Sequence, residues 1–518
     1  MLFNSFQFIV AFLPICLVVY YVLQKHDCQA ESTLFLVAAS LFFFGYWNVS
    51  YVLLLTVSII ANYLLAAVIR KKARQTPRKW WLAVGVAFNL TLLGYYKYTN
   101  FLVDTLNDLS RFDIQIQTIV LPIGISFFTF QQVAYLVDEY AGRGGERNFF
   151  RYALFVSFFP QLIAGPIVHH REMMPQFARK VSHRLLYNLA VGFAVFSIGL
   201  TKKVMFADTF ALAASPVFEA SDAGHSPHFL EAWGAALGYT LQIYFDFSGY
   251  SDMAVGLGRM FGIRLPVNFA SPYKANSIID FWRRWHITLS RFLRDYLYFS
   301  LGGGLRGKAR RYLNIFITML LGGIWHGAGW TFVIWGALHG TLIVVNHLWV
   351  DYSPFHREKP SPARHAFFTL LTLFCVVLTW VPFRAETVDG MMRVYEGMAG
   401  LNGITLPSQL LSIAPGVASW AEAHGAEIGS FGRTSGVIGV VLAPLVLLAL
   451  FFFPETHEIF ARYRVALASP GYPASRATPR SRRILWRAGV GGGLVAGLLF
   501  ALCISSLDRA SEFIYFQF

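Results

Sequence analysis

A chain of 518 residues that is 56% hydrophobic, 17% aromatic and only 14% charged is too apolar for an ordinary soluble domain. Its formal net charge of +15 would suit nucleic acid, but the basic residues fall in short loops beside apolar runs, the pattern of a membrane protein, so a nucleic-acid partner is not expected. The apolar runs are continuous rather than alternating, which excludes a β-barrel; the expected fold is all-α, a polytopic bundle of about 11–13 transmembrane helices with re-entrant and interfacial pieces.

Crossing about 30 Å of hydrocarbon takes about 20 residues. Runs of that order occur near 6–23, 33–48, 50–69, 81–98, 118–137, 186–206, 229–247, 312–330, 331–350, 366–383, 434–453 and 489–507. The first has no Lys or Arg before Lys25 and no small-residue cleavage site, so it is expected to stay as a span rather than leave as a signal peptide. One basic cluster is Arg70, Lys71, Lys72, Arg74, Arg78 and Lys79; another is Arg462, Arg464, Arg476, Arg480, Arg482, Arg483 and Arg487. Both are expected to be cytoplasmic, which puts both termini outside and suits the acidic loop at 99–117. Arg171 to Arg184 would reach the wrong face if 149–168 crossed fully. The segment from Phe158 to Pro166 is therefore expected to be re-entrant, with irregular backbone buried in protein. The chain reads as one domain, 1–518, with a polar extramembrane insertion from about Glu386 to Arg433. Cys16, Cys28, Cys375 and Cys503 form neither a disulfide framework nor a metal spacing.

Ionisable groups inside apolar runs are the places to look for chemistry, because they are costly there without a task. The stretch Ser277 to Tyr298 is too charged to span and is expected to be an interfacial amphipathic helix, with His286 on its aromatic side four residues after Trp282. Its Arg283, Arg284, Arg291 and Arg294 either pair with Asp280 and Asp295 or face an anionic ligand or lipid phosphates. His326, next to Trp325 and set among Gly322, Gly323, Gly327 and Gly329, lies 15 residues beyond Arg311. That is about 22 Å along a helix, a mid-membrane depth. A neutral histidine bonded to a neighbouring helix and a reactive imidazole both fit His326; the first of these is expected for His339 and His347. Asp246 and Asp252 are two carboxylates in an apolar setting, suited either to orienting an imidazole or to a structural ion pair.

Other chemistries fail on inspection. Gly302 to Lys308 has phosphate-loop spacing, but Ala309 replaces the magnesium-binding hydroxyl. There is no G-x-S-x-G elbow and no H-E-x-x-H, and His169-His170 lacks a carboxylate cluster beyond Glu172, so no metal is expected.

Several stretches in order carry a family likeness: Phe12-Leu13-Pro14-Ile15, Leu121 to Phe127, Ala164-Gly165-Pro166, Tyr244 to Leu257, Phe281 to His286, Leu293 to Tyr298 and Met319 to Ala328. In these the chain resembles the membrane-bound O-acyltransferase family, and within it the bacterial members that acetylate alginate and similar exopolysaccharides; the ending Phe513 to Phe518 is similar too. The resemblance implies a tunnel through the bacterial inner membrane, with His326 as the catalytic histidine and His286 at the second signature position. It implies no bound cofactor, a cytoplasmic thioester donor such as acetyl-CoA, a polysaccharide acceptor and periplasmic acetyltransferase partner proteins. Arg283, Arg284 and Arg294 are then expected to meet the phosphorylated donor, with Asp246, Asp252 and Trp325 in support. Peptidoglycan O-acetyltransferases and teichoic-acid D-alanyltransferases share the motifs, and outside enzymes a transporter or a complex scaffold would also place polar groups at mid-membrane.

Overall fold

Helices dominate because apolar sequence in lipid must satisfy every backbone group within its own segment. The computed structural model describes residues 1–71, 77–110, 113–180, 185–353, 361–407, 415–423, 427–429, 436–468, 485–507 and 513–514. Lys72, Arg74, Arg184, Arg476, Arg480, Arg482 and Arg483 of the basic clusters lie outside the described residues. By length and composition five described helices can cross a membrane: α1 (Gln7–Lys25), α3 (Val49–Lys71), α9 (Leu185–Asp222), α14 (Trp330–Tyr352) and α15 (Pro362–Arg384). The protein is a multi-pass, all-helical membrane protein, apart from one parallel pair of three-residue strands at Thr405–Pro407 and Glu427–Gly429.

Two compact units divide the described chain. The first takes Met1–Leu200, Tyr250–Asn268 and Thr456–Ala510. It holds α1, α2 (Gln29–Gly45), α3, α4 (Arg78–Ser110), α5 (Ile125–Tyr140), the short α6 (Phe149–Ser157), α7 (Phe159–Leu162) and α8 (His170–Phe177), and the first part of α9. Its buried polar side chains answer one another across helices: Asn62 and Asn89 exchange amide hydrogen bonds of 3.2 and 2.7 Å between α3 and α4. Such pairs fix helix register where water is absent.

One boundary in this unit differs from the sequence expectation. The apolar run at 118–137 becomes helical only at Ile125, because Pro122 and Gly124 (φ +74°) hold the preceding chain out of helix. At 158–166 the backbone breaks at Phe158 (ψ 107°), forms one turn and leaves it again, with every residue from Phe158 to Pro166 buried. A Cβ on Gly165 would stand 2.5 Å from the Gln161 Cα, so this turn closes only on glycine. The irregular, buried backbone matches the expectation for this segment.

The second unit takes Thr201–Gly249, Phe269–Glu455 and Ser511–Phe518. It holds the rest of α9, most of α10 (Phe229–Met260), the short α11 (Ile278–Arg284) and α12 (Ile287–Phe292), then α13 (Lys308–His326), α14, α15, α16 (Val388–Met398), α17 (Pro415–Ala423) and α18 (Val437–Leu450). Helix α16 opens the segment expected to be a polar insertion, and it buries Met391, Val394 and Met398 in this unit's core. Much of the remainder of that segment, 408–414, 424–426 and 430–435, lies outside the described residues. The core gathers Trp282, Trp285, Trp335, Trp380 and Phe383 with small residues of α9 and α10.

Helices α13 and α14 form an antiparallel hairpin at unusually close approach. A Cβ on Gly323 would meet the Phe332 carbonyl oxygen at 2.4 Å, and one on Gly336 would meet the Met319 carbonyl oxygen at 2.7 Å. Small residues at these crossings let backbones touch, which is how helices associate when lipid removes the hydrophobic drive between them. The hairpin corrects the expected span 312–330: α13 stops at His326, Gly327 is extended, and α14 starts at Trp330. His326 is thus the last residue of a helix beside a turn, not a mid-helix group.

Candidate active site

The expected single amphipathic helix at 277–298 is in fact two short helices. Ser277 caps α11 by accepting from the Asp280 amide at 3.1 Å, and the helix ends at Arg284. His286 then takes φ +41°, ψ +54°, and α12 starts afresh from it, running into a wider π-turn at Leu293–Tyr298. Left-handed backbone at a non-glycine residue is strained and gathers at functional sites. The break also moves His286 off the face of Trp282: the ring is fully buried and stands edge-on to Phe247, centroids 4.6 Å apart. Burial lowers its imidazole to about 3, so it is a neutral ring.

His326 sits in an aromatic box. Trp325 and Trp335 each lie 4.9 Å from its ring, and Phe383 of α15 lies at 5.2 Å. The two histidines belong to one aromatic cluster. Trp285, the neighbour of His286, meets Trp380 at 4.9 Å; Trp380 meets Phe383 at 5.4 Å, and Phe383 reaches His326.

A cavity of about 270 Å³ opens along the same hairpin. Arg311, Ile315, Thr318 and Met319 line it from α13, Ile343 and His347 from α14, and Trp282, Ser290, Leu293, Arg294 and Tyr298 from the broken segment. Helix direction orders these groups. Arg311 and His347 lie at the end away from the turn, whereas Met319 stands two turns, about 10 Å, from His326 on one face of α13. The cavity thus lies along the part of the hairpin away from the turn, with Arg311 and His347 farthest from His326 and Met319 nearest to it on α13.

The remaining expected site residues separate. Arg294 lines the cavity and pairs with Asp295 at 2.8 Å. Arg284 pairs with Asp280 at 2.8 Å, and Arg283 is exposed; neither is among the residues lining the cavity. Asp246 is tied to Lys203 at 2.7 Å and accepts from the Ile514 amide at 3.0 Å. Asp252 accepts from the Thr456 hydroxyl at 2.6 Å. The structure therefore gives Asp246 an ion pair and Asp252 a hydroxyl partner.

His339 takes the expected role of a histidine bonded to a neighbouring helix: it accepts a 3.2 Å hydrogen bond from the Trp282 indole at Nδ1 and lies 4.7 Å from Trp335, the ring that also rests on His326. Sequence reasoning undervalued two groups, His347 and Arg311. His347 lines the cavity, as does Arg311. The signal was there as a stride of four: Trp335, His339, Ile343 and His347 on α14, and Arg311, Ile315 and Met319 on α13, share faces.

The turn at His286 carries its own test. His286→Asn keeps a residue that tolerates left-handed backbone and is expected to unfold at the wild-type temperature in detergent; His286→Val is expected to lose about 1–3 kcal/mol through backbone strain. Equal unfolding temperatures for the two variants would show that the turn stores no strain.

Comparison with known proteins places the chain in a family. The model of the membrane-bound O-acyltransferase family matches residues 1–379. A peptidoglycan O-acetyltransferase of Helicobacter pylori is 45% identical over 437 residues, covering 78% of this chain and 81% of its own. A protein named "Probable alginate O-acetylase AlgI" of Pseudomonas putida is 42% identical over 405 residues, 77% of this chain and 80% of its own. A teichoic acid D-alanyltransferase of Bacillus subtilis is 28% identical over 254 residues, 46% of this chain and 62% of its own. With a family match over residues 1–379, which include both histidines, and relatives of 42–45% identity over most of their length, the chain belongs to the membrane-bound O-acyltransferase family and is an O-acyltransferase.

Proposed function

We propose that this O-acyltransferase moves an acetyl group from a cytoplasmic thioester, acetyl-CoA by its chemistry, through the bacterial inner membrane to a hydroxyl of an extracytoplasmic polysaccharide. The observation that carries the reading is the position of His326 two turns along α13 from Met319, in the wall of a cavity that Arg294 and Arg311 also line. Guanidinium groups suit the phosphates of a nucleotide-bearing donor, and the apolar wall of Leu293, Ile315, Met319 and Ile343 suits its slender thiol arm. In the transfer His326 removes the proton of the acceptor hydroxyl, the oxygen attacks the thioester carbonyl, the C–S bond breaks and the thiol leaves protonated. Attack by His326 itself, giving an acyl-imidazole, is the covalent version of the same step. His286 orients the donor or stabilises the developing oxyanion, and periplasmic partner proteins complete transfer where the polymer cannot reach the membrane.

An alginate-type exopolysaccharide is the acceptor we propose, supported by the likeness to the alginate O-acetylase; the 45% identity to a peptidoglycan O-acetyltransferase favours peptidoglycan as the second reading. Ester-linked acetate measured on each polymer fraction of cells with and without the protein separates them. Loss of ester from the exopolysaccharide alone supports the first reading, loss from peptidoglycan alone supports the second, and unchanged ester on every fraction refutes both.

A further inference from the structure

We propose that the hydrogen bond from Trp282 to His339 sets the inner limit of the donor cavity, with Trp282 restricting the donor to short acyl groups and His339 acting as the positioning residue that holds the indole in place. The proposal rests on the donor-site reading above.

Trp282 does two things at once. It lines the cavity with Met319 and Ile343, and its ring stands 5.8 Å from Trp335, which rests on His326 at 4.9 Å. Two indoles therefore stand between the cavity and the reactive imidazole. The first of them is not free to swing. Its N–H is donated to His339 Nδ1 at 3.2 Å, and His339 is itself fully buried, 4.7 Å from Trp335 and parallel to Phe281 at 6.3 Å.

Accepting at Nδ1 requires a neutral ring with its proton on Nε2, because an imidazolium has no lone pair to offer. Turning Trp282 aside to admit a longer chain would strand a buried donor and a buried acceptor together, which costs more than losing either to water. A two-carbon acyl group enters without that movement; each further methylene must displace the indole. Methylene discrimination by such a wall is typically about 10–200-fold in rate.

Purified full-length protein is given acetyl-CoA, butyryl-CoA or hexanoyl-CoA together with a hydroxyl acceptor, alginate or peptidoglycan, and acceptor-dependent thiol release is followed with each. Wild-type protein is expected to prefer acetyl-CoA. His339→Phe keeps a ring of similar size but cannot accept the indole hydrogen bond, and is expected to raise the butyryl-to-acetyl ratio at least about tenfold. Trp282→Phe is expected to raise it as well. His339→Asn, whose side-chain oxygen can accept in place of Nδ1, is expected to restore the wild-type preference. An unchanged ratio in both His339→Phe and Trp282→Phe overturns the proposal, as does an equal loss with all donors, which is the mark of a merely structural histidine. No thiol release by wild-type protein from any donor would instead refute the donor-site reading, and this proposal with it.

Discussion

His326→Gln is expected to lower acyl transfer by about 10²–10⁴-fold, the range for removing a positioned general base, while leaving the protein folded. Gln is chosen because it fills much of the space between Trp325, Trp335 and Phe383, where Ala would leave a void. The measurement pairs acceptor-dependent thiol release from acetyl-CoA, with alginate or peptidoglycan as the hydroxyl acceptor, with thermal unfolding in detergent. An imidazole that only packs would give the opposite pattern, a lower unfolding temperature with transfer within a few-fold of wild type. A variant that keeps more than a tenth of the wild-type rate would remove His326 from the chemistry. The same variant separates enzyme from scaffold in cells, since a scaffold tolerates the exchange and polymer acetylation would continue.

Lys203→Met is expected to be the most destabilising single change in the second unit. The ammonium is almost fully buried between Asp246 at 2.7 Å and Asp208 at 2.9 Å, and the Phe513 ring lies 4.9 Å from it. Removing one partner of a buried pair leaves an uncompensated charge and costs about 3–5 kcal/mol. Asp246 would retain the Ile514 amide, which is too little to hold a buried carboxylate. The double change Lys203→Met with Asp246→Asn removes the more deeply buried of the two stranded carboxylate charges and keeps an acceptor for Ile514, so part of the lost unfolding temperature is expected to return, with Asp208 still deprived of the ammonium. A single variant that unfolds with the wild type would show that the pair contributes nothing.

This ion pair also bears on the chemistry, because Asp246 precedes Phe247, the ring against His286. A second buried network runs beside it: Glu455 accepts from the Tyr244 hydroxyl at 2.6 Å and from the Ser271 amide at 2.9 Å, with Lys202 at 3.4 Å. Tyr244 and Phe247 share α10, so the charges anchor the helix whose aromatic side supports the second histidine. Buried charge at these positions is best read as scaffolding for the site rather than as part of the reaction.

Much was legible in the sequence because it depends on local composition. Continuous apolar runs dictate helices wherever the backbone has no water to bond, and α3, α14 and α15 fall within a few residues of where the runs lie. His326 was legible for the same reason: an ionisable ring among glycines and Trp325 in an apolar run is costly unless it has a task. What the tertiary structure alone decided concerns partners distant along the chain. The helix expected through His286 breaks there, and the break is held by packing against Phe247 and around Trp285, which no periodicity encodes. Asp246 proved to belong to Lys203 rather than to a histidine, and His339 proved to hold Trp282, because a buried hydrogen-bonding group takes whichever complement the fold brings within about 3 Å. Hydropathy and helical stride are properties of a single segment, whereas the depth of a cavity and the pairing of a buried charge are properties of segments brought together.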